Sequence, residues 1–297
     1  MVRNNVDNIN FSVVITTKNR DFFLKRAINS IKLSTIKPTE IIIVNDGGTP
    51  PVVEKNLNII VINNKYSHGA NYSRNLGVQN TCCDFVFFLD DDDSVLPISF
   101  ESRLKIMLKN NEIGMVFTGV HLVKDSNLEE SARIVYPHNS SNYYNDLISK
   151  GNVIGSTSRV LVRKKYFDLA GGFDEKLKAY QDYDLWIRMS KICDIKSDNS
   201  ATILYTVHTS NNQVSFDYKK YIHAGKYLIS KYSYHVKKNG MSFKSNIYLR
   251  IALSASKSSF MTKIKYSFMS FYYRPNIKSI ILILIPSRIL RKIKLFV

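Results

Sequence analysis

Short apolar runs alternate with longer stretches in which apolar residues recur every three or four positions. Phe11–Thr16 (FSVVIT), Glu40–Asn45 (EIIIVN), Ile59–Ile62 and Asp84–Leu89 (DFVFFL) are brief and rich in branched or aromatic residues, and they read as strands. Asp21–Leu33 carries Phe22, Phe23, Ala27, Ile28 and Ile31 at helical spacing, and Gly69–Asn80 reads as a helix with a polar face. Strand and helix in alternation predict an α/β domain with a mostly parallel sheet. Such sheets bind ligands beyond the carboxyl ends of their strands. Three polar clusters fall at those ends: Thr16 to Arg20, Asn45 to Gly48, and Asp90 to Asp93.

The pattern continues to about residue 217. VIGSTSRVLVRKKYF is strand-like and then helical, AGGFDEKL is a turn, YQDYDLWIRMSKI is a helix starting near Gln181, and ATILYTVH is a strand ending at His208. Residues 218–297 read as predominantly helical. The expected organisation is a domain over 1–217 followed by a helical region over 218–297, with no internal repeat and no low-complexity linker.

Charge sharpens that division. The net charge is +18, yet Tyr218 to Val297 holds 17 Lys and Arg and no Asp or Glu. That leaves 25 of the 42 basic residues, against all 24 acidic ones, in the first 217. A near-neutral body carries a strongly basic tail. In the tail, Lys and Arg are interleaved with Tyr, Phe and Ile, a mixture suited either to nucleic acid or to an anionic membrane surface. The apolar run Ile280–Ile285 is too short to span a bilayer but suits an interface. Hydrophobic content of 44% is in the globular range. The polar start MVRNNVDNIN and the absence of about 18 consecutive apolar residues predict neither a signal peptide nor a transmembrane helix. Cys82, Cys83 and Cys193 fit no zinc spacing and read as buried thiols of a reducing compartment.

Chemistry concentrates in the carboxylates. Asp90 to Asp93 close an apolar strand, and four adjacent negative charges become tolerable when a hard divalent cation bridges them to phosphate oxygens; the other reading is a solvated acidic turn. Asp46, before two glycines, is either a turn residue or a carboxylate at the sheet rim. Asn71, Arg74 and Asn75 share one helix face, which is either solvated or turned toward an anion. Asp182 and Asp184 sit near a helix start, where they either favour the helix dipole or supply a general base. His208 ends a strand and is either structural or a ligand.

Taken together, these residues resemble the family 2 glycosyltransferases, inverting enzymes of GT-A fold that use nucleotide-diphosphate sugars. The resemblance covers about residues 10–215. It rests on four motifs in order: VVITTKNR (Val13–Arg20), EIIIVNDGG (Glu40–Gly48), NLGVQNTCCDFVFFLDDDD (Asn75–Asp93) and AGGFDEKLKAYQDYDLWIRM (Ala170–Met189). It implies a single Rossmann-like mixed sheet flanked by helices, followed by the basic helical extension. It also implies that Asp46, Thr16 and Arg20 contact the nucleotide, with Arg74 near the ribose or diphosphate. The DxD-type motif maps onto Asp90–Asp92. Asp92 is then the metal ligand with His208 as a second candidate, and Asp90 or Asp91 meets the ribose. Asp182 matches the catalytic base, with Gln181 where the family more often has Glu. Thr16 stands where a proline is usual.

The implied activity is metal-dependent transfer of a sugar, with Mn²⁺ or Mg²⁺ as cofactor. The expected donor is a UDP-sugar, and the expected acceptor a glycan or lipid-linked oligosaccharide of bacterial surface polysaccharide synthesis. With that body, the membrane reading of the tail is favoured over nucleic acid. It places the protein in the cytoplasm, peripheral on the inner face of the cell membrane. The alternatives are a nucleotidyltransferase, or a non-catalytic sugar- or nucleotide-binding module on the same fold.

Overall fold

β1 (Phe11–Thr17), β2 (Glu40–Asn45), β3 (Ile59–Asn63) and β4 (Phe85–Asp90) lie side by side in the order β3-β2-β1-β4, all parallel. β1, β2 and β4 are buried almost throughout, as expected of central strands covered on both faces. The computed structural model describes residues 9–54, 58–208, 217–233 and 240–286. The expected helical character of 287–297, and the polar start of the chain up to Asn8, lie outside the described residues.

Helix α1 (Asp21–Lys32) buries Leu24, Ala27, Ile28 and Ile31 against the odd-numbered face of β1, in a core shared with Phe87, Phe100 and Leu104. Helix α2 (Ala70–Gln79) also packs on β1 and β2. It approaches so closely that a Cβ at Gly77 would collide with the side chain of Val14. Only a glycine permits that approach.

Beyond β4 the sheet becomes mixed. β5 (Ser94–Val95) is a two-residue strand, followed by α3 (Ser99–Met107). β6 (Ile113–Lys124) and β7 (Asn127–Val135) form a hairpin, and β8 (Val160–Arg163) runs antiparallel to both β4 and β6. β9 (Asp194–Val207) pairs parallel with β6 and antiparallel with β5. Among the described residues, nine strands thus form one sheet, mixed rather than mostly parallel. Helix α4 (Tyr143–Lys150) follows β7, α5 (Lys164–Leu169) follows β8, and α6 (Gln181–Met189) precedes β9. The last strand starts seven residues before the expected Ala201, because residues 194–197 already pair with β6 despite their polarity, ahead of a register shift.

The chain divides into two compact units, and the division is not a single cut at 217. The first comprises Met1–Ser141, Ile154–Glu175 and Leu185–Thr209, and contains the sheet. The second comprises Asn142–Val153, Lys176–Asp184 and Ser210–Val297. It holds α4, the first turn of α6, and α7 (Tyr218–Lys231), α8 (Gly240–Ala255), α9 (Phe260–Tyr273) and α10 (Ile277–Leu284). Side-chain caps start four of these helices: Asn142 on α4, Asp217 on α7, Ser259 on α9 and Asn276 on α10. Buried serines join α8, α9 and α10: Ser245 Oγ donates to the Ser270 carbonyl (2.8 Å), and Ser279 Oγ donates to Ser270 Oγ (2.9 Å).

The cysteines are all free thiols. Cys83 is buried and Cys193 half-buried, and burial pushes them up to about 11 and about 12 respectively. Cys82 is exposed, contrary to the expectation of three buried thiols, because it sits in the loop that enters β4.

Candidate active site

The parallel register sets the rim of the first unit. Thr16 lies opposite Val44 on one side and Asp90 on the other. The chain therefore leaves the sheet at Thr17–Arg20 between the departures at Asp46 and at Asp90–Asp93.

The four aspartates, identical in the sequence, have four different surroundings. Asp90 accepts from Arg74 Nη2 (2.6 Å) and from Thr157 Oγ1 (3.1 Å). Asp91 accepts from Thr17 Oγ1 (2.8 Å) and Arg20 Nη1 (2.8 Å). Burial pushes its carboxyl up to about 6 against the pull of Arg20. Asp92 takes a second bond from Arg20 Nη1 (3.0 Å), and its Oδ2 lies 2.8 Å from His208 Nε2. Asp93 is only 1% exposed. It accepts from Ser158 Oγ (2.6 Å) and the Thr206 N–H (2.9 Å), and burial, together with the charges of Asp92 and Asp90, holds it well above the usual carboxylate range. Asp93 ties the turn after β4 to the turn that precedes β8 and to β9, whereas Asp90, Asp91 and Asp92 pair with the arginines of the rim.

His208 is 9% exposed and packs its ring on Phe23. Its Nδ1 faces Asp125 Oδ2 at 3.6 Å, at the end of the β6–β7 hairpin. With a cation bound, an Nδ1 proton directed at that carboxylate would free Nε2 to act as a ligand beside Asp92. A carboxylate oxygen and an imidazole nitrogen in such proximity fit a divalent cation such as Mn²⁺ or Mg²⁺. Such an ion keeps further positions for phosphate oxygens and water. Arg74 adds an anion-seeking group. It is 7% exposed, spends Nη2 on Asp90, and leaves Nη1 buried without a hydrogen-bond partner. An orphaned buried donor of this kind is costly and marks a place where an anion fits.

Asp46 is engaged on both oxygens. Ser67 Oγ (2.6 Å), the His68 N–H (2.9 Å), the Gly69 N–H (2.9 Å) and Ser73 Oγ (3.0 Å) all donate to it. The carboxylate closes the loop that leads into α2. Thr16, half-buried, stands between this cluster and the aspartate run.

Asn71 and Asn75 do share the face of α2 with Arg74, but their partners are protein. Asn71 Nδ2 donates to the Asp174 carbonyl (2.8 Å). Asn75 both donates to the Phe173 carbonyl (2.9 Å) and accepts from the Phe173 N–H (2.8 Å). The pair clamps the Gly171–Glu175 turn, and Phe173 in turn lies against the Arg74 guanidinium, 5.5 Å from ring centre to Cζ.

Asp182 belongs to the second unit, in the first turn of α6. Its half-buried carboxylate accepts from Asn152 Nδ2 (3.0 Å) and its neighbour's N–H (2.8 Å). The helix start is fixed around it. Tyr180 adopts a left-handed backbone with φ of 59°, uncommon for an aromatic residue, and its hydroxyl donates to the Ile247 carbonyl (2.9 Å). Asp184, fully buried, pairs with Lys231 Nζ (2.8 Å) and accepts from Tyr232 Oη (2.8 Å).

The family profile described as "Glycosyltransferase like family 2" matches residues 12–250. The chain belongs to this family of glycosyltransferases. Curated relatives agree. An uncharacterized glycosyltransferase of Haemophilus influenzae is 26% identical over 212 residues, covering 69% of this chain and 71% of its own. YwdF of Bacillus subtilis, also an uncharacterized glycosyltransferase, is 30% identical over 215 residues, covering 69% and 77%. A Rickettsia conorii relative is 29% identical, and the match spans 34% of its length.

Among solved structures, S. aureus TarS 1-349 in complex with UDP-GlcNAc superposes with a TM-score of 0.54 at 13% identity, covering 96% of this chain and 92% of that one. The mannosyltransferase PcManGT of Pyrobaculum calidifontis, in complex with GDP-Man and Mn²⁺, gives 0.57 at 11% identity, covering 96% and 81%. At that identity the likeness bears on the fold, which is the mixed α/β fold of GT-A glycosyltransferases. In this glycosyltransferase, Thr17, Asp125 and Ser158 sit among the rim carboxylates although sequence reasoning did not select them. Thr17 was hidden by its neighbour Thr16, since strand alternation alone does not say which of two threonines faces the aspartates. Asp125 lies in a stretch that carried no clear strand signal, and Ser158 lies in a strand-like run where nothing marks one serine as the partner of a carboxylate.

Proposed function

We propose that this glycosyltransferase moves a sugar from a nucleotide-diphosphate donor, a UDP-sugar in the first instance, to a hydroxyl of a glycan or lipid-linked oligosaccharide, with inversion at the anomeric carbon. The observation that carries the reading is the Asp92–His208 pair, set among the rim carboxylates with the unpartnered Nη1 of buried Arg74 nearby on Asp90. Asp92 and His208 would hold Mn²⁺ or Mg²⁺, and when bound the cation supplies Lewis-acid stabilisation of the departing diphosphate. Arg74 and Arg20 add positive charge to the same rim, Asp90 or Asp91 meets the ribose, and Thr16 and Asp46 border the nucleotide. The nucleotide-sugar complexes of the two fold relatives support the donor class.

The acceptor hydroxyl is a poor nucleophile until a base takes its proton. Asp182 is the proposed base; a carboxylate in the first turn of α6 is favoured by the helix dipole, and Asn152 orients it. In-line attack then inverts the sugar without a covalent intermediate. Residues 1–217 form the catalytic region in this reading. The basic region 218–297 holds the enzyme at an anionic inner membrane face, where lipid-linked acceptors of surface polysaccharide synthesis reside. Among the described residues no helix is long and apolar enough to cross a membrane.

The test is Mn²⁺-dependent hydrolysis of a panel of UDP-sugars, followed by transfer with extracted lipid-linked acceptors. Asp182→Asn is expected to bind donor normally and to lose transfer by at least ~10²-fold. Turnover close to wild type would remove Asp182 from the mechanism.

A further inference from the structure

The outer faces of α9 and α10 carry large apolar side chains at helical spacing. α9 buries Lys263, Tyr266, Ser267 and Ser270, and α10 buries Ser279 and Leu282. Facing outward on α9 are Met261, Phe268 and Tyr272, which are 78%, 55% and 79% exposed. Facing outward on α10 are Ile277, Ile280 and Leu284, at 72%, 40% and 72%. The spacings i, i+7, i+11 and i, i+3, i+7 make each set one stripe. Such a stripe would ordinarily face a core, yet each helix already has a different, inward face, built of Lys263, Tyr266, Ser267 and Ser270 on α9 and of Ser279 and Leu282 on α10.

The two stripes are held as a unit. Asn276 caps α10, Ser279 bonds to Ser270, and Lys263 Nζ reaches across to the Ile285 carbonyl (3.0 Å) at the end of α10. Exposed cations occur on the same helices: Lys265 lies four residues after Met261 and three before Phe268, and Lys278 follows Ile277. No acidic residue occurs anywhere between Tyr218 and Val297.

We infer that this face of α9 and α10 is the element that docks on an anionic lipid bilayer, with its six apolar side chains entering the acyl boundary and Lys265 and Lys278 meeting the phosphates. The inference rests on the membrane reading of the basic region and names the surface that performs it. Charge decides the occupant. A region with cations and no carboxylate repels a second copy of itself, and a lipid surface offers both the negative charge and the flat apolar layer that such a face needs. Tyr272, the most exposed side chain of the set, has the amphipathic ring that prefers the headgroup level.

The experiment is co-sedimentation of the full chain with phosphatidylcholine vesicles, with and without phosphatidylglycerol. Wild type is expected to bind only the anionic vesicles. The triple variant Phe268→Glu, Ile280→Glu, Leu284→Glu is expected to lose at least ~10-fold in binding while UDP-sugar hydrolysis stays unchanged. Unchanged binding by the triple variant overturns the docking face and leaves the general attraction of the basic region standing. Wild type that fails to bind anionic vesicles overturns both. A Phe268→Trp variant provides a readout without loss of apolar area. Its emission is expected to shift to the blue on adding anionic vesicles, and an unmoved emission overturns the proposal.

Discussion

Asp92 Oδ2 lies 2.8 Å from His208 Nε2, joining the turn after β4 to the residue that follows β9. The two are 116 positions apart in the chain. Their meeting depends on β9 pairing with β6, on β8 bridging β6 to β4, and on Asp93 pinning the turn from below.

Asp93 is therefore expected to be a stability residue rather than a ligand. Removing its carboxylate leaves Ser158 Oγ and the Thr206 N–H buried without an acceptor, at about 1–3 kcal/mol for each group. Asp93→Ala should lower the midpoint of urea unfolding clearly, and Asp93→Asn, which keeps one acceptor oxygen, should lower it less. Equal midpoints for wild type and Asp93→Ala would contradict this assignment.

Asp125 is expected to act through His208. If its carboxylate fixes the ring with Nε2 unprotonated, Asp125→Asn should weaken Mn²⁺ binding about 10- to 100-fold, measured by calorimetry on the protein alone. The melting temperature without metal should change little. An unaltered Mn²⁺ affinity would show that the 3.6 Å approach has no bearing on the ligand.

Asp46 predicts a pH dependence of stability. Burial would raise its carboxyl, but the four donors from Ser67, His68, Gly69 and Ser73 outweigh that and hold it below its ordinary value. A folded-state value below the unfolded one contributes stability above about pH 4, and that contribution disappears as the pH falls through the folded value. The gap in melting temperature between wild type and Asp46→Asn should thus narrow as pH drops from about 5 to about 3. A gap that stays constant or widens would contradict the hydrogen-bond reading.

The first four strands and their helices were legible in the sequence because each is a continuous apolar run bounded by turn residues; Glu40–Asn45 was placed to the residue. The β6–β7 hairpin was not. β7 (NLEESARIV) is exposed along nearly its whole length and pairs through its backbone, so no hydrophobic alternation announces it. Residues 194–197 of β9 do alternate in burial, but one of the two inward positions is Ser197, so residue type does not reveal the strand. At the site, the sequence located the carboxylates but not their division of labour. Four consecutive aspartates are indistinguishable until tertiary partners, Arg74, Thr17, His208 and Ser158, separate them. The face shared by Asn71, Arg74 and Asn75 was legible from helical spacing, but the Gly171–Glu175 turn that Asn71 and Asn75 grip lies about a hundred positions away.

Calorimetric titration of UDP into the enzyme, with and without Mn²⁺, tests the central claim most directly. Wild type is expected to bind UDP far more tightly with the ion, and Asp92→Ala to lose that difference while keeping its fold. Metal-enhanced UDP binding that persists undiminished in Asp92→Ala would show that the cation is held elsewhere.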